Sequence, residues 1–131
     1  MKIIFKIKPW TWTCGDGCCS DSGCVVEAYS VVKGKNNSPY FRTERSQYPF
    51  PTLASIEAYI ITECLYALLG SDATKIPEFR KKIFSAYGVK DDVKAWNFSS
   101  GLPDIDAGKA QKIFSCFGFD CEIIEEDCEE K

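Results

Sequence analysis

Two β-forming runs flank one turn-rich segment, and that arrangement constrains the chain more than any other feature. In Lys2-Ile3-Ile4-Phe5-Lys6-Ile7-Lys8, residues Ile3, Phe5 and Ile7 alternate with Lys2, Lys6 and Lys8. This is the period-two pattern of a strand with one buried face and one wet face, and it predicts a strand over residues 2–13. Trp10 and Trp12 then fall on the opposite parity, with Pro9 at the change of phase. A residue with no N–H to give a ladder predicts an edge position or a bulge there. Cys14-Gly15-Asp16-Gly17-Cys18-Cys19-Ser20-Asp21-Ser22-Gly23 is dense in turn formers. Cys24 to Lys33 is a β-branched second strand, Gly34 to Pro39 a turn, and Tyr40 to Arg45 a third strand. Residues 1–45 therefore predict an antiparallel meander.

Tyr48-Pro49-Phe50-Pro51 ends that pattern, and residues 52–118 read as helical. Thr52 or Ser55 is placed to cap a helix running to Leu69, with Leu53, Ile56, Ile60, Cys64 and Leu68 on one stripe and Gly70 as the stop. Pro77 suits the first turn of a second helix, with Phe79, Ile83 and Tyr87 at four-residue spacing before Gly88. Residues 90–98 predict a short helical turn that packs Trp96 and Phe98 inward. Asp104 or Asp106 caps a third helix carrying Ile113, Phe114 and Phe117 and ended by Gly118. Residues 119–124 alternate as a closing strand, and residues 125–131 form an acidic tail. The expected fold is α+β in one domain, 1–131: a meander of three to four strands with about three helices on one face. A chain of 131 residues with 45% apolar content is long enough to build a core without covalent staples.

Charge and residue usage narrow the function classes. The 16 basic and 19 acidic residues leave a net charge of −3, which argues against a nucleic-acid footprint. Residues 1–50 carry +3 and residues 101–131 carry −6, so the positive charge lies with the meander. Histidine is absent, which removes the commonest general base and metal ligand and every Ser-His or Cys-His dyad. No apolar run is long enough to span a bilayer. Asp91-Asp92, Asp104 and Asp106 have the type for acid–base work but lie where helix caps are expected. Glu57, Tyr59 and Glu63 read as a solvated helix side, and Arg80-Lys81-Lys82 as an exposed helix face. Lysines at positions 2, 6 and 8 interrupt any export signal, so the eight cysteines are expected as thiols in a reducing cytoplasm.

The Cys-Gly-Asp-Gly-Cys-Cys turn is where chemistry concentrates. Gly15, Asp16 and Gly17 can aim backbone N–H groups into a phosphate nest, with Arg42, Arg45, Lys33 and Lys35 in the same positive half and Trp10, Trp12 and Tyr40 able to stack on a base. A tight hairpin is the plainer reading of the glycines. The spacing also suits a zinc knuckle. Spacing allows a site of Cys14, Cys18, Cys19 and Cys24. Adjacent side chains on extended backbone point oppositely and rarely bind one ion together, so the set easier to build is Cys14, Cys18 (or Cys19) and Cys24, completed by Cys121. The plainer reading of these thiols is as small buried hydrophobes. A vicinal Cys18–Cys19 disulfide and a Cys116–Cys121 bridge are the redox alternatives.

Residues 10–19 resemble a W-x-aromatic-x-CGDGCC turn of small bacteriophage proteins, a likeness of about fifteen residues. It implies a phage origin and action inside an infected bacterium. The resulting expectation is a non-enzymatic protein that neutralises a host defence component. It would bind a protein partner or a nucleotide-type ligand through Trp10, Trp12, Gly15, Asp16, Gly17, Tyr40, Arg42 and Arg45. Nine Phe and six Tyr exceed the needs of a core this size, so an exposed aromatic patch is expected to serve the protein partner. A zinc-stabilised module is the alternative, and an enzyme using a Cys18 or Cys19 thiolate the third reading.

Overall fold

The computed structural model describes residues 2–31, 38–46, 49–70, 76–88 and 102–131. Its elements are β1 (Lys2–Thr13), β2 (Ser20–Val31), β3 (Phe41–Arg45), α1 (Ala58–Leu69), α2 (Ile76–Tyr87), α3 (Ala107–Cys116), β4 (Asp120–Glu125) and β5 (Glu129–Glu130). The fold is α+β, with sheet order β3-β2-β1-β4 and β5 also paired to β1.

The alternation in β1 sorts the two faces. Ile3, Phe5 and Ile7 are fully buried beside Ala28 and Val26 of β2. Against them pack Ile60, Ile61, Cys64 and Leu65 of α1, Ile83 and Phe84 of α2, and Ile113 and Phe114 of α3. The Phe5 and Phe114 rings lie 6.3 Å apart at 59°. Each such side chain contributes about 1.5–3 kcal/mol by leaving water. The other face carries ion pairs, Lys2–Glu122 at 3.2 Å and Lys8–Glu27 at 2.6 Å, and the Lys6 ammonium 5.3 Å from the Tyr29 ring centre. A sheet whose helices all lie on one face keeps its other face wet in this way.

Several expectations are corrected. Pro9 makes no bulge, since the β1–β2 register runs unbroken from Lys2↔Val31 to Thr13↔Ser20, but the expected edge position is met on its other side. On the opposite side β1 pairs β4 through Ile7 and β5 only at Trp10 and Thr11, so the residue lacking an N–H sits where that ladder is interrupted. The turn is shorter than residues 14–23, because β2 already begins at Ser20. The closing strand pairs parallel to β1, so the three-stranded meander becomes part of a mixed sheet. The acidic tail is tied down through β5, with the Lys131 N–H donating to the Thr11 carbonyl at 2.8 Å.

The first helix begins at Ala58, with Glu57 as an N-cap whose side chain makes no capping bond and instead pairs with Arg45. Thr52 is already used in a local turn, its Oγ1 accepting from the Ala54 and Ser55 N–H groups at 3.2 Å each. Ile56 is held extended by an antiparallel bridge to Ile105. Asp106, rather than Asp104, caps α3, its carboxylate accepting from the Lys109 N–H at 2.8 Å. The expected turn at residues 90–98, with Trp96 and Phe98, lies outside the described residues, as do Lys33, Lys35, Asp91 and Asp92.

Candidate functional site

The β1–β2 hairpin outruns the rest of the sheet. β3 accompanies β2 only from Cys24 onward, and β5 meets β1 only at Trp10 and Thr11. From Trp12 to Asp21 the chain is a two-stranded arm in which every residue is exposed except the half-buried Cys14. Trp12 keeps 43% of its surface in water.

The tip of the arm gathers three thiols. The Cys14 N–H donates to the Cys19 carbonyl at 2.9 Å, and the Gly17 N–H donates back to the Cys14 carbonyl at 3.0 Å. Gly17 has φ +70°, the left-handed region that a glycine enters without a Cβ clash. This curl turns Cys18 and Cys19 back over Cys14. The Cys14 and Cys18 sulfurs are 3.4 Å apart and those of Cys18 and Cys19 3.5 Å, and all three lie within 4.8 Å of one another. The opposite-pointing rule fails for Cys18 and Cys19 because they sit in a turn, not on extended backbone.

The three sulfurs are electrostatically unequal. The Cys19 N–H donates to the Cys14 Sγ at 3.3 Å. That bond, helped by Cys18 and by the Asp16 N–H, draws the Cys14 thiol down to about 6. Hydrogen bonds from its sulfur to Cys14 and Cys19 push Cys18 the other way. Sharing within the cluster thus favours a thiolate at Cys14 first.

The predicted zinc quartet is not assembled. Cys24 lies opposite Pro9 and Cys121 opposite Ile3. Along β1 these positions are about 16 and 35 Å from Cys14. Both are buried core groups with thiols raised by burial, Cys121 to about 12. Here the small-hydrophobe reading holds. Cys64 is a third case: burial lifts it to about 12, and its sulfur shares a hydrogen bond with the Tyr40 hydroxyl at 3.1 Å. All eight cysteines are free; Cys116 is exposed while Cys121 is buried.

The predicted phosphate-and-base site also comes apart. Arg42 pairs with Glu44 at 2.5 Å. Arg45 is bound to Glu57 and rests 5.8 Å from the Tyr59 ring centre. Arg45 is level with Pro9 and Arg42 with Lys6, placing them roughly 20 and 30 Å along the strand from Gly15. Tyr40 turns into the core toward Cys64. Trp10 packs on Gly23, with the Lys131 ammonium 4.8 Å from its ring centre. Only Trp12 and the turn itself remain at the arm. The expected aromatic patch does not form among the described residues: the large exposed apolar side chains are Trp12, Val31, Leu53 and Tyr59. Val31 lies opposite Lys2, at the far end of the hairpin from Trp12, and Tyr59 belongs to α1 on the other face.

Cysteine spacing allowed Cys14, Cys18 and Cys19 to share a site, and the rule for extended backbone set that aside; the turn-forming glycines are the signal that the rule does not apply here. No protein-family model, curated protein or solved structure matches the chain.

Proposed function

We propose that this chain is a non-catalytic binding protein of phage type, which neutralises a host component in the bacterial cytoplasm by gripping a protein partner with its β1–β2 arm. The observation that carries the reading is the arm itself. An exposed tryptophan and three thiols stand on a ribbon that leaves the core, where they add nothing to burial. A ribbon with both edges unpaired beyond Trp12 also offers backbone N–H and C=O groups to a docking strand. Exposed tryptophan is the residue type most enriched among interface anchors.

The phosphate-ligand version has less support. The turn directs N–H groups at the Cys14 sulfur, and both arginines are engaged by glutamates. The test is affinity capture from bacterial lysate with the wild type and Trp12→Ala, read for protein and for nucleotide. The expected result is one stoichiometric protein partner that Trp12→Ala loses by tenfold or more, about 1.4 kcal/mol, while its circular dichroism is unchanged. Equal capture by both proteins, or a co-purifying nucleotide in place of a protein, refutes the arm as the grip.

A further inference from the structure

We propose that Cys14, Cys18 and Cys19 form a three-thiolate binding site for a soft cation of the zinc type, with its fourth coordination position open at the tip of the arm. The spacing of the sulfurs is the first argument. An ion about 2.3 Å from each sulfur in a tetrahedral arrangement sets the sulfurs about 3.8 Å apart. The observed separations are 3.4 and 3.5 Å for two pairs, with all three sulfurs inside 4.8 Å. Small side-chain rotations bring them onto an ion.

The backbone also preorganises the site. The two hydrogen bonds that close the turn, with Gly17 at φ +70°, hold the three Cα positions without help from the core. The Cys19 N–H donates to the Cys14 sulfur at 3.3 Å. A donor of this kind orients a thiolate ligand and spreads its charge, as outer-shell groups do in metal sites.

Third, the ligand chemistry is selective. Three sulfurs within 4.8 Å, with no carboxylate among them, suit a thiophilic ion and not calcium or magnesium, which require oxygen. Exposure sets these thiols apart as well. Cys24, Cys64 and Cys121 are buried as packing atoms, whereas Cys18 and Cys19 are exposed and Cys14 is half-buried. Three protein ligands and a free fourth position is the open type of zinc site, so water or a group from a partner completes it.

The proposal stands on the isolated chain and does not depend on the arm binding a partner. The full-length protein, reduced and kept anaerobic, is titrated with Co(II) and followed by its sulfur-to-cobalt absorption in the near ultraviolet, then challenged with Zn(II). One cobalt ion per chain, displaced by zinc, is expected. Alkylation mapped by mass spectrometry should show Cys14, Cys18 and Cys19 protected by zinc while Cys116 and Cys128 still react. Cys14→Ser, Cys18→Ser and Cys19→Ser should each weaken binding by about tenfold or more. Cys116→Ser should leave it unchanged. The three serine variants lie outside the core, so their urea midpoints should match the wild type, and a loss of binding is then not a loss of fold. Less than about a tenth of an equivalent of bound metal, or binding that survives the Cys14→Ser/Cys18→Ser double variant, overturns the site. Either failure leaves the Trp12 capture experiment untouched, so the two ideas fail separately.

Discussion

Replacing Gly23 with alanine probes the root of the arm. A Cβ at Gly23 would lie 2.4 and 2.6 Å from two carbons of the Trp10 indole and 2.8 Å from the Arg45 carbonyl oxygen. Carbon pairs sit comfortably only at about 3.5–4.0 Å, so the two indole contacts are deep in the repulsive range, and the carbonyl oxygen is also closer than a Cβ tolerates. The indole has little room to retreat, being opposite Gly23 in the ladder and covered by the Lys131 ammonium at 4.8 Å. The carbonyl belongs to the end of β3 and moves only with the sheet. Against this, alanine in a strand gains about 0.5–1 kcal/mol by restricting the unfolded chain. Three such clashes put the overpacking cost in the upper part of its range, about 2–3 kcal/mol, so the net loss is roughly 1–2.5 kcal/mol. With a urea slope near 1.5 kcal/mol per molar, the unfolding midpoint falls by about 1 M. Trp10→Ala removes two of the three clashes and leaves the carbonyl. The double variant should therefore recover part of the loss, with a coupling of about 1 kcal/mol in the cycle. A Gly23→Ala midpoint at or above the wild type, or a cycle with no coupling, would refute the packing argument.

Native-state alkylation of the metal-free protein should divide the cysteines by burial: Cys14, Cys18, Cys19, Cys116 and Cys128 label readily, while Cys24, Cys64 and Cys121 label only on unfolding. Peptide mapping that finds Cys64 among the fast group would contradict the Tyr40-bonded core position. Asp106→Ala removes the only side-chain acceptor described at the start of α3 and should cost about 1 kcal/mol in urea denaturation, with Asp106→Ser recovering most of it. The Lys8 ammonium bonds Glu27 and holds its carboxyl below 4.5. Its contribution is therefore present above about pH 4.5 and is lost as pH falls through the folded value. Glu27→Gln should lower stability by up to about 1 kcal/mol at pH 7, and the difference should shrink as pH falls through the folded carboxyl's lowered value, read from paired urea midpoints.

The local elements are those that side-chain periodicity specifies without outside help. Ile3, Phe5 and Ile7 announce the buried face of β1 because a strand alternates its side chains. Gly70, Gly88 and Gly118 mark helix ends because each takes positive φ, and Asp106 marks a start because its carboxylate reaches a free N–H. What tertiary structure decided is everything that depends on distance between elements. Strand direction is one case: nothing in Asp120–Glu125 says whether it runs with or against β1, and the helices' return path over the sheet determines that it runs parallel. The delayed start of α1 is another, imposed by a bridge to Ile105, about fifty residues away in sequence. The cysteines show the division most plainly. Their count and the Gly-Asp-Gly turn are written in the chain, yet Cys24 and Cys121 are indistinguishable from the tip thiols until the sheet buries them. Arg42 and Arg45 read as free cations in one dimension, and only packing supplies Glu44 and Glu57 as their partners. Sequence spacing encodes direction along one element, whereas a site is a set of distances among several.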